Sequence, residues 1–223
     1  MVLSLPRPAV SLTLLLGLAV LTGCEGGTGS GDGDGDDGGD GGTGHGLAWA
    51  LDKADPIRDA EMPDALLHII FANALDGDGQ LTDDAEAFWH FTYVDSETAD
   101  ELNGLDVTVY CNGLTTNSFN TYELTIPLPA YTTAYGWIEA ADAALPDEVS
   151  INERQLLVVP NYLAEWFEVS DNLAYVLYRG GDDEGYDYLV AVDADSGTVN
   201  NVFDGAQLQF LLDLIDDWFP EAG

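Results

Sequence analysis

Residues 88–111, FWHFTYVDSETADELNGLDVTVYC, contain two short runs in which apolar and polar side chains alternate, separated by an acidic connection. Alternation with a period of two is typical of a strand that has one face on a core and the other towards solvent. We therefore predict strands at 88–94 and 105–111, with a turn over 95–104. Together they predict an antiparallel meander.

The neighbouring segments extend this sheet. Upstream, residues 47–60 have apolar side chains at helical spacing, with an interruption or restart near Pro56. Residues 65–75 are rich in aliphatic and aromatic side chains and indicate a buried strand. A fourth strand is expected at 122–126, before a proline-containing break. The first half of the folded part is thus one helix followed by a meander.

The same order of elements recurs in the second half. An alanine-rich helix is expected at 137–145. Short β-type runs follow it at 155–159, 165–169, 174–178 and 186–192. An amphipathic helix at 207–219 is the last predicted element. We therefore predict an α+β protein of two helix-plus-antiparallel-meander modules, at 47–128 and 129–223.

The charge of the chain restricts its partners. It contains 41 acidic residues and five basic ones, which give a formal net charge of −36. Binding to phosphate groups requires clustered lysine and arginine, so we expect no nucleic-acid partner. Cations and basic partners are the electrostatically favoured ligands, although solubility in a salty habitat explains the same acidity.

The first residues have the layout of an export signal. Arg7 precedes an apolar run over 9–21, which is short for a membrane span, and Leu21-Thr22-Gly23-Cys24 follows. This tetrapeptide resembles the lipobox of bacterial lipoproteins, in which the signal is cut before the cysteine and the cysteine is acylated. The resemblance implies a signal peptide at 1–23 and a lipid attached to Cys24. An ordinary secretory signal or an uncleaved anchor is the alternative.

Residues 24–46 after this site are almost entirely glycine, aspartate, threonine and serine, which predicts a disordered tether. We expect the protein to be lipid-anchored in the cell envelope, outside the cytoplasm. Glu25 in the second mature position favours the outer membrane or cell surface over the inner membrane. Once Cys24 carries lipid, the chain has no second cysteine for Cys111, so we expect Cys111 to be a buried thiol.

Several segments carry a resemblance to a known family. Residues 184–199, EGYDYLVAVDADSGTV, resemble the closing hairpin of PepSY-like modules, with Ser196 where a threonine is usual. The segments ALDKA, FWHFTYVDSE, LDVTV and WIEAADAAL occur in an order similar to that of bacterial envelope proteins with two such modules. The resemblance covers most of residues 47–203. It implies cystatin-like α+β units used for binding or inhibition.

Asp76 and Asp78 lie in the segment DGDGQL, which is similar to part of a calcium-binding EF-hand loop. However, alanines occupy two positions that should supply ligands, Ala74 and Ala85. A hairpin turn between two strands explains the same segment. The two aspartates are therefore candidate Ca²⁺ ligands in one hypothesis and turn residues in the other, and no further cofactor is expected.

The remaining residues do not indicate catalysis. His45, His68 and His90 have no zinc-binding spacing, and the sequence has neither a nucleophile-elbow motif nor a phosphate-binding loop. We therefore expect a non-catalytic binding or structural module that recognises an envelope protein or peptide through a sheet face or an exposed edge. The alternatives are a Ca²⁺-dependent module and a secreted hydrolase that uses an acidic pair.

Overall fold

The structure is a computed structural model. It describes residues 45–95, 102–122, 127–160, 171–180, 186–205 and 207–208. The predicted signal peptide, the anchor Cys24, almost all of the tether, the strand at 165–169 and most of the helix at 207–219 lie outside these residues.

Two helices and eight strands form the described part of the chain. The helices are α1 (Leu47–Glu61) and α2 (Tyr135–Ala144). The strands are β1 (Leu66–Leu75), β2 (Phe88–Val94), β3 (Leu102–Tyr110), β4 (Thr115–Tyr122), β5 (Glu153–Pro160), β6 (Asn172–Arg179), β7 (Tyr188–Asp193) and β8 (Val199–Asp204). The predicted α+β class is confirmed.

All eight strands belong to one antiparallel sheet with the order β4-β3-β2-β1-β5-β6-β7-β8. Each half of the chain is a helix followed by a four-stranded meander, and the first strands of the two halves, β1 and β5, pair at the centre of the sheet. Phe71 lies opposite Leu157 in this central pair. The two halves are therefore joined by a continuous hydrogen-bonded ladder.

The core lies between the helices and one face of the sheet. Strand residues that alternate along β2 and β6, such as Trp89, Phe91 and Val176, are fully buried on this face. Helix α1 contacts β3 and β2, and α2 contacts β7, β6 and β8. The period-two alternation of the sequence thus separates a helix-covered face from the opposite face.

Four sequence predictions require correction. Residues 102–104 belong to β3 and not to the predicted turn over 95–104. Helix α1 continues through Pro56, because Ile57 extends its apolar stripe onto the core beyond the proline, and Pro56 itself is exposed. The fourth strand lies at Thr115–Tyr122 and not at the predicted 122–126, of which 123–126 fall outside the described residues. Cys111 is buried as predicted, but the structure records it as disulfide-bonded, so the prediction of a thiol is wrong.

Candidate functional site

Strand β4 forms one end of the sheet and contains no charged residue. It reads TTNSFNTY and pairs along its full length with β3 on one side. The uncharged stretch is longer still, since it extends from Val107 to Tyr122 in a chain with 41 acidic residues. Proteins usually protect exposed edge strands with charges or proline, so an uncharged edge points to a contact surface.

A tight turn sets the register of this edge. The amide of Tyr110 donates to the Leu114 carbonyl at 2.9 Å, and the amide of Gly113 donates to the Tyr110 carbonyl at 2.8 Å. Gly113 has a φ of 78°, a left-handed conformation that suits glycine, and the Asn112 side chain accepts from the Leu114 amide. The segment Asn112-Gly113 therefore directs the chain from β3 into β4.

This register determines which backbone groups of β4 point outwards. Hydrogen-bonded and non-hydrogen-bonded pairs alternate in an antiparallel ladder, and the Tyr110–Leu114 bond identifies a hydrogen-bonded pair. Counting along the register, the residues whose N–H and C=O groups point away from β3 are Thr115, Asn117, Phe119 and Thr121. Among the described residues, none of these groups has a backbone partner.

The β4 side chains are accessible as well as its backbone. Phe119 of β4 is 57% exposed and Leu114, the residue before the strand, is 56% exposed; they are two of the four exposed large hydrophobic residues in the described part of the chain. Phe119 lies opposite the fully buried Leu105, so it is on the helix-bearing face of the sheet. An incoming strand would therefore meet a free backbone and an apolar side chain at the same place.

The other end of the sheet differs from β4. Strand β8 is six residues long, its pairing with β7 is interrupted by a register shift between Ala191 and Val192, and it ends at the charged Asp204. Short length, irregular pairing and charge are the features that discourage strand addition. Of the two described edges, β4 is the longer, the more regularly paired and the uncharged one.

A buried polar network on the sheet face away from the helices connects β4 to β3 and β2. The Asp106 carboxylate of β3, 3% exposed, accepts hydrogen bonds from the Thr92 hydroxyl at 2.7 Å and from the Asn120 amide. The His90 ring contacts the Thr108 hydroxyl through Nδ1 at 3.0 Å, and its Nε2 lies 3.5 Å from Asp106 Oδ1. Because Asn120 belongs to β4, this network fixes the edge strand to β3 and β2.

Acidic residues lie in the loop that leads into β2. The Cys111 amide donates to the Ala87 carbonyl at 3.1 Å, which places the loop before β2 next to the β3–β4 turn. That loop carries Asp83, Asp84 and Glu86, all exposed. This acidic loop also contacts β1, through the Asn73 side chain and the Glu86 carbonyl, so it lies on the β2 side of β3, away from the outer edge of β4.

The Asp76–Asp78 segment forms the predicted turn. The Asp76 carboxylate accepts from the amides of Asp78 and Gln80, both at 2.9 Å, and Gly79 has a φ of 72°. One Asp76 oxygen is therefore bound to the backbone, as in an Asx turn. Within the described ranges, no three His, Cys, Asp or Glu residues form a group that could hold a metal ion.

The three histidines are in different surroundings. His45 packs against the Trp49 ring before α1, His68 is buried at the irregularity in β1, and His90 belongs to the network with Asp106. The sequence predicted recognition through a sheet face or an exposed edge but did not locate that edge, and the signal that distinguishes β4 is the absence of charge from Val107 to Tyr122.

No known family model matches the chain, and neither the curated proteins nor the solved structures include a significant match. None of the helices in the described part has the length and apolar character needed to cross a membrane.

Proposed function

We propose that this protein is an exported, lipid-anchored and non-catalytic binding module, which recognises a protein or peptide by adding an extended segment to the β4 edge. The observation that carries the proposal is the uncharged, exposed β4 strand with its outward backbone groups at Thr115, Asn117, Phe119 and Thr121. Addition of a strand to a free sheet edge is a common mode of peptide recognition.

The energetics require side-chain contacts in addition to backbone pairing. Each backbone hydrogen bond contributes about 0.5–1.5 kcal/mol net, whereas ordering each residue of a flexible peptide costs about 1–2 kcal/mol. Backbone pairing alone is therefore close to neutral. Burial of exposed apolar groups such as Leu114 and Phe119 would supply the remaining stabilisation, at about 25 cal/mol per Å² of apolar surface.

The proposed location follows from the N-terminal sequence. Leu21-Thr22-Gly23-Cys24 matches a lipobox, and the Gly- and Asp-rich segment 24–46 would keep the folded part away from the bilayer. The lipid would hold the protein at the membrane, most favourably at the outer membrane or cell surface.

The internal architecture supports a proposal of two PepSY-like modules. Both halves have a helix and four strands in the same order, and in both a helix aspartate binds a strand tyrosine. Tyr93 donates to Asp55 at 3.1 Å in the first half, and Tyr178 donates to Asp142 at 2.9 Å in the second. A repeated helix-to-sheet contact is expected if both halves descend from one unit.

Site-specific photo-crosslinking tests the proposed function. A photoreactive amino acid placed at Phe119 in the full chain should capture a partner from envelope extract, whereas the same group at Tyr135, an exposed position on α2, should not. Capture should be lost with Asn117→Pro, which removes an outward N–H, and retained with Asn117→Ala. Equal capture from both positions, or capture insensitive to Asn117→Pro, would contradict the proposal.

A further inference from the structure

The sheet has a second apolar surface, on the face away from the two helices. Leu177 of β6 and Leu189 of β7 lie directly opposite each other in the ladder. Their neighbours in sequence, Val176 and Val190, belong to the core under the helices, so Leu177 and Leu189 point to the other face. They are nevertheless buried, with 7% and 0% of their surfaces exposed. Because α1 and α2 both lie on the first face, neither helix covers this pair.

Leu208 is the described residue that covers the pair from above the sheet. It packs with Leu177 and Leu189 in a hydrophobic cluster separate from the main core, and it is 3% exposed. Three partly buried aromatic side chains border this cluster, namely Tyr175, Tyr186 and Phe203. The chain therefore passes from the end of β8 onto the second face of the sheet.

The chain reaches this face in a helical conformation. Gly205, directly after β8, has a φ of 47°, a left-handed conformation that lets the chain leave the direction of the strand. Residues 207 and 208 then have a helical backbone, with Gln207 exposed and Leu208 buried. A polar residue towards solvent beside an apolar residue on the sheet is the arrangement expected of an amphipathic helix.

The sequence beyond Leu208 continues the same pattern. Its apolar stripe at helical spacing consists of Leu208, Leu211, Leu212, Ile215 and Phe219. As a helix, residues 208–219 would extend about 17 Å, at about 1.5 Å per residue. Residues 173–177 of β6 extend about 13 Å and place alternate apolar side chains on the second face. The stripe is therefore long enough to cover the apolar side chains of this strand.

We infer that the second face of β6 and β7 is the docking surface of the C-terminal helix predicted at 207–219, which packs on it through the stripe that begins at Leu208. Residues 209–219 lie outside the described residues, and the contact of Leu208 fixes where the docked segment starts. The inference goes beyond the proposed function, because β6 and β7 lie towards the other end of the sheet from β4. Docking shields an apolar surface that would otherwise promote association, and it leaves the β4 edge accessible.

Hydrogen–deuterium exchange, followed by mass spectrometry of the full chain in detergent, tests this contact. Amides of residues 209–219 should exchange about tenfold or more slowly than those of an unstructured chain, and Leu212→Asp should remove this protection. The control Leu214→Asp makes the same substitution two residues away, about 200° around the helix and off the stripe. It should retain most of the protection.

A second pair of variants locates the docking surface on the sheet. Leu189→Ala and Leu156→Ala remove the same group from two fully buried positions, the first on the second face and the other in the core under the helices. Only Leu189→Ala should accelerate exchange in residues 209–219, by about tenfold or more, because it weakens the local contact. Circular dichroism verifies that both variants are folded.

Three results would overturn the inference, and none of them depends on the β4 edge. Unprotected amides in residues 209–219 would show that the stripe is not docked. Equal loss of protection in Leu212→Asp and Leu214→Asp would show that the segment does not pack through one side of a helix. Protection that increases with protein concentration would place the contact between two copies of the chain, and not within one.

Discussion

Replacing Asp142 by alanine should destabilise the protein more than the corresponding replacement of Asp55. The Asp142 carboxylate accepts hydrogen bonds from Arg154 Nε at 3.0 Å, Arg154 Nη2 at 2.8 Å and the Tyr178 hydroxyl at 2.9 Å. Asp55 accepts from Tyr93 at 3.1 Å and pairs with Arg58 at 3.3 Å. Both aspartates connect a helix to the sheet, so the comparison measures how firmly each helix is held.

The expected magnitudes follow from exposure. The Asp142 side chain is 27% exposed and that of Asp55 is 42% exposed. Breaking a fully buried ion pair costs about 3–5 kcal/mol, whereas an exposed pair contributes about 0–1 kcal/mol. We expect Asp142→Ala to lower the free energy of unfolding by about 2–3 kcal/mol, because it also leaves the buried Tyr178 hydroxyl without this acceptor. Asp55→Ala should lower it by about 1–2 kcal/mol, because the buried Tyr93 hydroxyl also loses its acceptor but the ion pair that is broken is more exposed.

Urea unfolding followed by tryptophan fluorescence provides the measurement, with the dependence on urea concentration unchanged between variants. Asp147→Ala, an exposed acid after α2, should change the free energy of unfolding by less than about 0.5 kcal/mol and serves as the control. A loss for Asp142→Ala that is no larger than the loss for Asp55→Ala would refute the reasoning from burial and bidentate pairing.

Three further predictions concern pH, calcium and the network behind β4. Burial raises the pKa of the Tyr175 hydroxyl to about 12, above its unfolded value of about 10. The contribution of Tyr175 to the free energy of unfolding is therefore complete below pH ~10 and is lost as pH rises towards ~12. Tyr175→Phe should reduce this loss when urea unfolding is measured at alkaline pH. If Asp76 and Asp78 bind Ca²⁺, calorimetry should show heat that the Asp76→Ala, Asp78→Ala variant lacks, and unchanged heats would eliminate the site. Asp106→Ala should destabilise the protein by about 2–4 kcal/mol in urea, while a change below about 0.5 kcal/mol would contradict the network's role.

The parts of the fold that bury one face could be predicted from sequence. The strand Phe88–Val94 was predicted with the bounds that the structure shows. Its alternate apolar side chains all pack into the same core, so the period-two pattern is strong. The turn at Asp195–Gly197 is also set by local contacts, since the Asp193 carboxylate accepts from the amides of Asp195 and Ser196 and Gly197 has a φ of 70°. Strong local signals of these kinds do not depend on distant contacts.

The edge strand could not be predicted in the same way. Thr115–Tyr122 has little apolar alternation, because both of its faces are largely accessible, and its strand conformation depends on pairing with β3. Helix α1 likewise continues through Pro56 because of packing that a local reading cannot include. The position of the candidate edge could therefore not be predicted, since an edge strand leaves no periodic pattern and only the absence of charge marks it.

The state of the cysteines is a second point that the sequence alone leaves open. The chain contains two cysteines, and the structure records Cys111 as disulfide-bonded. A sulfur that is joined to a lipid cannot also form a disulfide. The proposed lipid on Cys24 and a disulfide between the two cysteines are therefore mutually exclusive, which makes the anchor directly testable.

Mass spectrometry of the native protein, digested without reductant, tests the proposed anchor most directly. The account predicts that the mature chain begins at Cys24 and that this residue carries a diacylglyceryl group on its sulfur. A peptide in which Cys24 is disulfide-linked to Cys111, or one that still carries residues 1–23, would contradict the proposed anchor and location.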